Sequence, residues 1–221
     1  MTAADLIGRG PLLLDFDGPI CSIFAGYPAP DVARHLVGVL HAEGVDPPAA
    51  VVVETDPLEV LRWTGKACPQ ALVVTVEDAL CVAEVRAAAT ASPTPYGHEV
   101  IQTAWRAGVP IAIVSNNSQG AIEAYLRAHN LFGCVRAVIG RPYAKPELMK
   151  PHPSPVLLAA RSLMADVEDC VLIGDSLSDI EGARAAGAHV IGYANREWKV
   201  DAFHSADSVI TSMVELIALR D

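Results

Sequence analysis

Two aspartates one residue apart, Asp15 and Asp17, directly follow three leucines and precede Gly18. The short apolar run Leu12–Leu14 is typical of a buried strand. Such a strand does not normally end in two charges, because taking a carboxylate out of water is costly unless a partner compensates it. In an α/β sheet, ligands bind at the carboxyl ends of strands. The pair therefore indicates a cation site, a reaction, or both.

Other polar residues follow two later apolar runs of the chain. Ser115 and Asn116 come directly after residues 111–114, and Asp175 comes after residues 171–173, with Asp179 one helical turn further on. Between these two positions lies Lys150, followed by proline. The carboxyl ends of parallel strands meet at one edge of a sheet. We therefore expect these carboxylates, the hydroxyl, the amide and the ammonium group to gather there.

The elements that would position these residues alternate along the chain after Pro95. Apolar runs typical of strands alternate with helical patterns, which predicts βαβ units and a parallel sheet with helices on both faces. The fold class is therefore α/β, with a doubly wound parallel sheet. The strands are expected, after the first, at residues 110–114, 135–139, 170–173, 189–193 and 209–210.

Between the first strand and this alternating region, the pattern is helical. One helix is expected to be capped by Asp31, a second to open at Asp56 and Pro57, and a third to run over 77–91. Proline-rich stretches flank this segment. We expect residues 1–19 and 96–221 to form the core domain and residues 20–95 a helical cap domain, with a last core helix over 213–219.

Composition narrows the possible functions. The chain has 221 residues, of which 52% are hydrophobic, and a net charge of -10, which argues against a nucleic acid or an acidic membrane surface as a partner. An anionic small molecule remains compatible, because a metal ion and a lysine can reverse the field locally. No basic leader with an apolar core and no apolar run of about 18 residues occurs. Five cysteines without CxxC spacing favour reduced thiols and a cytoplasmic protein.

Four motifs in a fixed order carry a resemblance that spans nearly the whole chain. They are residues 15–18 (Asp-Phe-Asp-Gly), Ser115 with Asn116, Lys150, and residues 174–179 (Gly-Asp-Ser-Leu-Ser-Asp). In this order they resemble the haloacid dehalogenase (HAD) superfamily of hydrolases. The helical segment after the first motif is similar to the small C1-type cap of phosphoglycolate phosphatases and β-phosphoglucomutase. The resemblance implies a HAD-like Rossmannoid core.

The resemblance also implies a chemistry: a magnesium-dependent phosphatase that hydrolyses a small phosphorylated metabolite through an aspartyl-phosphate intermediate. Asp15 would be the nucleophile, and Asp17 would act first as general acid and then as general base. Mg²⁺ prefers oxygen ligands. The Asp15 carboxylate, the Asp17 backbone carbonyl and Asp175 would supply them, with Asp179 in support.

The resemblance further implies that Ser115, Asn116, Lys150 and the backbone of Gly18 bind the phosphoryl group. Lys150 would also neutralise Asp15. Lys145, which likewise precedes a proline, competes for this role; Lys150 is preferred because its Lys-Pro-His-Pro segment leads straight into a predicted helix. Asp17 favours phosphoryl transfer over dehalogenation, because a halide leaves without needing a proton.

Two alternatives stay open at the level of sequence. One is a sugar phosphomutase of the same fold, and the other is a non-catalytic binding protein that retains the site. The sequence Gly-Asp-Ser-Leu at 174–177 also matches a serine esterase motif, but that interpretation leaves Asp15, Asp17 and Lys150 without a role. Substrate identity is not legible in the cap, and both a monomer and a homodimer are compatible with the sequence.

Overall fold

A parallel sheet forms the centre of the protein in the computed structural model, which describes residues 2–217. Six strands of this sheet are arranged in the order β5-β4-β1-β6-β7-β8, and β2 pairs with β3 in a separate two-stranded antiparallel sheet. In chain order the strands are β1 (Leu12–Leu14), β2 (Cys21–Ser22), β3 (Ser92–Pro93), β4 (Ile111–Val114), β5 (Ala137–Ile139), β6 (Val171–Gly174), β7 (His189–Tyr193) and β8 (Ser208–Ile210). The predicted doubly wound parallel sheet is confirmed.

Helices connect the strands and cover both faces of the sheet. Among residues 2–217, no helix combines the length and the apolar character that crossing a membrane requires. In chain order the helices are α1 (Ala3–Ile7), α2 (Ala29–Ala42), α3 (Ala49–Val52), α4 (Pro57–Ala67), α5 (Gln70–Ala88), α6 (Gly97–Arg106), α7 (Gln119–Ala128), α8 (Ser154–Ser162), α9 (Leu177–Ala186) and α10 (Glu197–Ala202).

The central strand β1 is buried on both faces, which explains its uninterrupted apolar run. Leu12 and Leu14 pack in one apolar cluster with residues of α6 and α7. Leu13 points to the opposite face and packs with residues of α8 and α9. A strand covered on both sides has no polar face, so three consecutive leucines suit it. The strand therefore delivers Asp15 to the sheet edge from a fully apolar, rigid element.

Helices α2 to α5 lie between β1 and β4 in the chain and have an apolar cluster of their own. Its members include Leu36 of α2, Leu61 of α4 and Val76 of α5. The antiparallel pair of β2 and β3 brings together the two ends of this helical insert. The division into domains at 19/20 and 95/96 stays a prediction, and this strand pair lies next to both proposed boundaries.

Two helices of the insert begin earlier than predicted. Helix α5 starts at Gln70 rather than at residue 77, although Val73, Val74 and Val76 have low helix propensity. Its packing against α2 and α7 outweighs that propensity. Helix α2 starts at Ala29, so Asp31 does not cap it; Asp31 lies in the first turn and pairs with Arg34 at 2.8 Å.

Three short helices, α1, α3 and α10, were not predicted, because four to six residues hold too little periodic pattern to be recognised. The predicted last helix over 213–219 is only partly described. Met213–Leu216 form a 3₁₀ turn. Residues 218 and 219 lie outside the described residues.

A buried ion cluster ties helix α5 to the loop that follows β5. Arg141 donates hydrogen bonds to Glu77 Oε1 at 2.7 Å and to Glu84 Oε1 at 2.9 Å, and these three side chains are almost completely buried. Arg141 Nη1 also donates to the Asn116 carbonyl oxygen at 2.7 Å. Glu84 Oε2 in turn accepts from the Ser118 N–H at 2.8 Å. The insert is therefore fixed to the segment that carries Ser115 and Asn116.

We expect Arg141→Met to lower the free energy of unfolding by about 3–5 kcal/mol, because it strands two buried carboxylates without their partner. Urea unfolding measures this. The matched control is Arg34→Met, which breaks the exposed pair with Asp31 and should change stability by no more than about 1 kcal/mol. Adding Glu77→Gln and Glu84→Gln to Arg141→Met should recover part of the loss. Equal effects of Arg141→Met and Arg34→Met would contradict the assignment.

Candidate active site

Three neighbouring strands place their polar residues side by side. Strand β1 lies between β4 and β6, so Asp15, Ser115 and Asp175 follow adjacent strand ends at the same edge of the sheet. The Asp15 N–H donates to the Ile173 carbonyl oxygen at 2.9 Å, which continues the parallel ladder into the site. The structure brings these three residues together at the sheet edge, as the sequence predicts.

Lys150 occupies the middle of this gathering. Its Nζ lies 3.0 Å from Asp15 Oδ1, donates to the Val114 carbonyl oxygen at 2.7 Å, and forms an ion pair with Asp179. The side chain is buried, whereas Lys145 is exposed and lines a different cavity. Of the two candidate lysines, the structure thus places Lys150 against Asp15.

Asn116 holds the main chain of Lys150 with both ends of its amide. The Lys150 N–H donates to Asn116 Oδ1 at 2.9 Å, and Asn116 Nδ2 donates to the Lys150 carbonyl oxygen at 3.0 Å. Ser115 Oγ, which is buried, donates to Asn117 Oδ1 at 3.2 Å. Asn116 therefore acts on the position of Lys150 and lies beside Ser115, the predicted phosphate ligand.

The carboxylates of Asp15, Asp175 and Asp179 converge on one point. One oxygen from each lies within 4.8 Å of the others. Asp15 Oδ1 is buried and lies 3.0 Å from the Lys150 ammonium group. The three converging carboxylates form an all-oxygen donor set, which fits a hard divalent cation.

Asp179 has a second task within this group. Its Oδ2 accepts from the Ser176 N–H at 3.1 Å and from Ser176 Oγ at 2.6 Å, and these bonds form a capping box at the start of α9. Its Oδ1 faces Lys150. Asp179 is thus more firmly committed to Lys150 and the helix end than Asp15 is to any partner.

Burial and charge shift the acid–base properties of the central pair. Burial raises the pKa of Asp15, and the carboxylates of Asp179 and Asp175 raise it further, while Lys150 opposes both. Burial disfavours the ammonium form of Lys150, but Asp15 and Asp179 outweigh it and raise the Lys150 pKa. Lys150 is therefore charged. A further positive charge near Asp15 would favour the ionised form of Asp15.

Asp17 lies in a different environment from Asp15. Burial raises the pKa of Asp17 to about 6, against a hydrogen bond that its Oδ1 accepts from the Ile23 N–H at 2.9 Å. Among the described residues, its carboxylate is not part of the converging acidic group. A carboxyl with a pKa near neutrality suits a group that donates and then accepts a proton. Burial also raises the pKa of the neighbouring Cys21, which keeps that thiol protonated.

Gly18 has a different contact from the one expected of it. Its N–H donates to the Cys21 carbonyl oxygen at 2.7 Å and is not free for a phosphoryl oxygen in this conformation. Its φ of +104° is in the left-handed region, and a Cβ here would overlap the Asp175 carboxylate. The residue is glycine because the turn after Asp17 passes directly against Asp175.

A cavity of about 480 Å³ opens above these residues, between the sheet edge and the helical insert. On the insert side it is lined by Phe24, Ala29, residues 55–59 and Arg62. Arg62 Nη2 donates to the Lys150 carbonyl oxygen at 2.8 Å, and Arg62 Nε lies 3.1 Å from Glu59 Oε1. Sequence reasoning missed Arg62, because the helical pattern of α4 does not indicate which of its polar residues faces the sheet edge.

Two further residues that sequence reasoning missed contact Asp175. Asn195 Nδ2 donates to Asp175 Oδ2 at 2.9 Å, and Lys199 Nζ lies 2.6 Å from the same oxygen. Both follow β7, which ends at the same edge as β6. The strand-end rule that selected Asp175 could have selected Asn195, whereas Lys199 comes from the unpredicted helix α10.

Comparison with known proteins agrees with this fold and site. A family model described as haloacid dehalogenase-like hydrolase matches residues 12–187. A phosphoglycolate phosphatase of Nitrosospira multiformis is 31% identical over 114 residues, which is 51% of this chain and 49% of that protein. A bifunctional riboflavin kinase/FMN phosphatase of Arabidopsis thaliana is 34% identical over 112 residues, which is 49% of this chain and 28% of that protein. The matched segment thus spans half or less of these relatives.

Solved structures share the fold over nearly the whole chain. A putative phosphoglycolate phosphatase from Lactobacillus plantarum has a TM-score of 0.70 and 18% identity, covering 99% of this chain and 100% of that one. CbbY from Rhodobacter sphaeroides, in complex with phosphate, has a TM-score of 0.68 and 21% identity, covering 94% of this chain and 96% of that one.

The parallel sheet has a helical insert after β1 and carries an acidic group around a buried lysine at the carboxyl ends of its strands. The chain belongs to the haloacid dehalogenase-like hydrolase family, whose model matches most of its length. The resemblance inferred from the four sequence motifs is confirmed.

We expect Gly18→Ala to lower the free energy of unfolding by about 1–3 kcal/mol, because alanine is strained at this φ and its methyl group meets the Asp175 carboxylate. Gly38→Ala is the matched control. Gly38 lies in α2 with open space around it, and alanine should stabilise that helix by up to about 1 kcal/mol. Urea unfolding of both variants measures whether the free energy of unfolding falls in Gly18→Ala and rises in Gly38→Ala. A Gly18→Ala protein as stable as the parent would contradict the close approach.

Proposed function

We propose that this protein is a magnesium-dependent phosphatase that hydrolyses a small phosphorylated metabolite through an aspartyl-phosphate. The observation that carries the proposal is the position of Asp15. Its oxygen Oδ1 faces the buried ammonium of Lys150 at 3.0 Å, and Asp17, two positions further along the chain, lines the same cavity. Lys150 and a bound cation would keep Asp15 ionised for attack, and Asp17, with a pKa of about 6, would serve as its acid.

Mg²⁺ would be held by the Asp15 carboxylate, the Asp17 backbone carbonyl and Asp175, with Asp179 in support. The convergence of three carboxylates supports this assignment. The ion would supply Lewis-acid stabilisation of the charge on the transferring group. The commitment of Asp179 to Ser176 and Lys150 favours a supporting role for that residue over direct ligation.

In the first step, an Asp15 carboxylate oxygen attacks phosphorus and the bond from phosphorus to the ester oxygen breaks. Asp17, in its protonated form, gives its proton to the departing oxygen. Lys150 stabilises the charge of the phosphoryl group, and Ser115 Oγ binds one of its oxygens. The side-chain amide of Asn116 holds the main chain of Lys150 instead of binding the phosphoryl group as predicted. The products of this step are the free alcohol and an acyl phosphate on Asp15.

In the second step, water attacks the phosphorus of that acyl phosphate. Asp17, now a carboxylate, takes a proton from the water, the bond between Asp15 and phosphorus breaks, and inorganic phosphate leaves. Both the Asp15 carboxylate and the Asp17 carboxyl are regenerated. The raised pKa of Asp17 supports this double use, because both of its protonation states are accessible near neutral pH.

The cavity supports a small substrate. Its volume of about 480 Å³ is in the range of cavities that bind small molecules. The names of the phosphatase relatives support a phosphate ester as substrate. Arg62 and Glu59, at the insert side of the cavity, would contact the alcohol portion. A cytoplasmic location, a monomer or homodimer, and the absence of nucleic-acid partners stay predictions.

We expect Asp15→Asn to reduce phosphate release at least about 10³-fold, because it removes the attacking carboxylate. A panel of phosphorylated metabolites assayed with Mg²⁺ and no added sugar bisphosphate is the measurement, and Asp31→Asn, on the exposed face of α2, is the control. Isomerisation of a sugar phosphate that needs a sugar bisphosphate and releases no inorganic phosphate would replace the proposal with a phosphomutase. A parent protein that binds phosphate but releases none from any ester would replace it with a binding protein.

A comparison of the two candidate lysines forms a second test. Lys150→Met should reduce kcat at least about 100-fold, because it removes the cation beside Asp15, whereas Lys145→Met should leave kcat within about twofold. Urea unfolding of both proteins separates loss of activity from loss of fold. A larger loss of kcat in Lys145→Met than in Lys150→Met would reverse the assignment.

A further inference from the structure

Helix α10 places a second lysine against the acidic group. Lys199 Nζ donates to the Asp175 carbonyl oxygen at 2.7 Å and pairs with Asp175 Oδ2 at 2.6 Å. The side chains of both residues are largely buried, with 12% of Lys199 and 17% of Asp175 exposed. Screening by solvent is weak for such a pair. Lys199 therefore neutralises a carboxylate that belongs to the predicted magnesium site.

Orientation of Asp175 does not depend on Lys199 alone. Asn195 Nδ2 donates to the same Oδ2 atom at 2.9 Å, and the Gly18 backbone packs against the carboxylate. Asn195 is neutral, so it restrains the carboxylate without altering the charge of the site. The separate contribution of Lys199 is its positive charge.

That charge acts in opposite directions on the two species the site would bind. Four aspartates (Asp15, Asp17, Asp175 and Asp179) are opposed at the sheet edge by the ammonium groups of Lys150 and Lys199. The Lys199 ammonium, 2.6 Å from Asp175 Oδ2, repels a divalent cation that shares this carboxylate and attracts a phosphoryl dianion nearby. Without Lys199, the dianion would face a larger excess of carboxylates at the sheet edge.

We propose that Lys199 weakens binding of the divalent cation and strengthens binding of the phosphoryl dianion. This inference rests on the proposed function, because it takes the site to bind magnesium and phosphate together. Lys199 is a positioning and charge-balancing residue here, not one that touches the reacting atoms.

The test is calorimetric titration of each protein with Mg²⁺ alone, and then with inorganic phosphate at saturating Mg²⁺. In Lys199→Gln, which keeps a hydrogen-bond donor but loses the charge, we expect the dissociation constant for Mg²⁺ to fall about tenfold and that for phosphate to rise about tenfold. Lys199→Arg keeps the charge and should leave both constants within about threefold. Asn195→Ala removes only orientation and should weaken binding of Mg²⁺.

The sign of the Mg²⁺ change decides the question. When a residue that only orients a metal ligand is removed, the site binds the metal about 10–100-fold more weakly. Weaker Mg²⁺ binding in Lys199→Gln, or phosphate binding equal to the parent's, would overturn the inference. Circular dichroism checks that each variant is folded. Lys199→Met is a second uncharged variant, for which we expect the dissociation constants for Mg²⁺ and phosphate to shift in the same directions as in Lys199→Gln.

The outcome for the proposed function is separate. If the parent binds Mg²⁺ and phosphate and releases phosphate from an ester, but Lys199→Gln shifts both constants in one direction, only the inference about Lys199 fails. A parent that releases no phosphate from any ester defeats the proposed function, whatever the titrations of Lys199→Gln show.

Discussion

The buried ammonium of Lys150 is the interaction on which the rest of the site depends. Three carboxylates with oxygens within 4.8 Å of one another repel each other, and burial removes the water that would screen them. Lys150 contacts Asp15 and Asp179 and is anchored by the Val114 carbonyl oxygen, so it offsets this repulsion from within the fold. Its own main chain is held by Asn116. The carboxylates that follow β1 and β6 can lie this close because Lys150 pairs with Asp15 and Asp179, and Lys199 pairs with Asp175.

Much of this arrangement could be predicted from sequence because local patterns and a general rule of sheet topology coincide there. The run Leu12–Leu14 is apolar without interruption, since β1 is covered on both faces, and its end is marked by charge. The parallel sheet then requires Asp15, Ser115 and Asp175 to share an edge. Lys150 was separable from Lys145 because a proline-rich turn leads from it directly into α8.

Contacts that depend on how distant helices pack could not be predicted in this way. Arg62 and Lys199 lie on helices whose orientation toward the site is set by tertiary packing, and α10 is too short to leave a periodic signal. The start of α5 was misplaced because its first turns carry β-branched residues. The N–H of Gly18 is engaged with Cys21, which no spacing rule indicates, because it depends on the turn geometry. Sequence thus located the acidic centre, whereas its electrostatic surroundings needed the structure.

The ion cluster of Arg141 with Glu77 and Glu84 makes the helical insert and the loop after β5 depend on each other for the pairing of buried charges. The insert contributes both carboxylates and the loop after β5 contributes the guanidinium group, and all three side chains are shielded from water. Replacing the insert with one from a relative would leave Arg141 buried without its partners unless the incoming helix carried matching acids. These three positions should therefore covary among relatives, and the insert cannot be exchanged as an independent cassette.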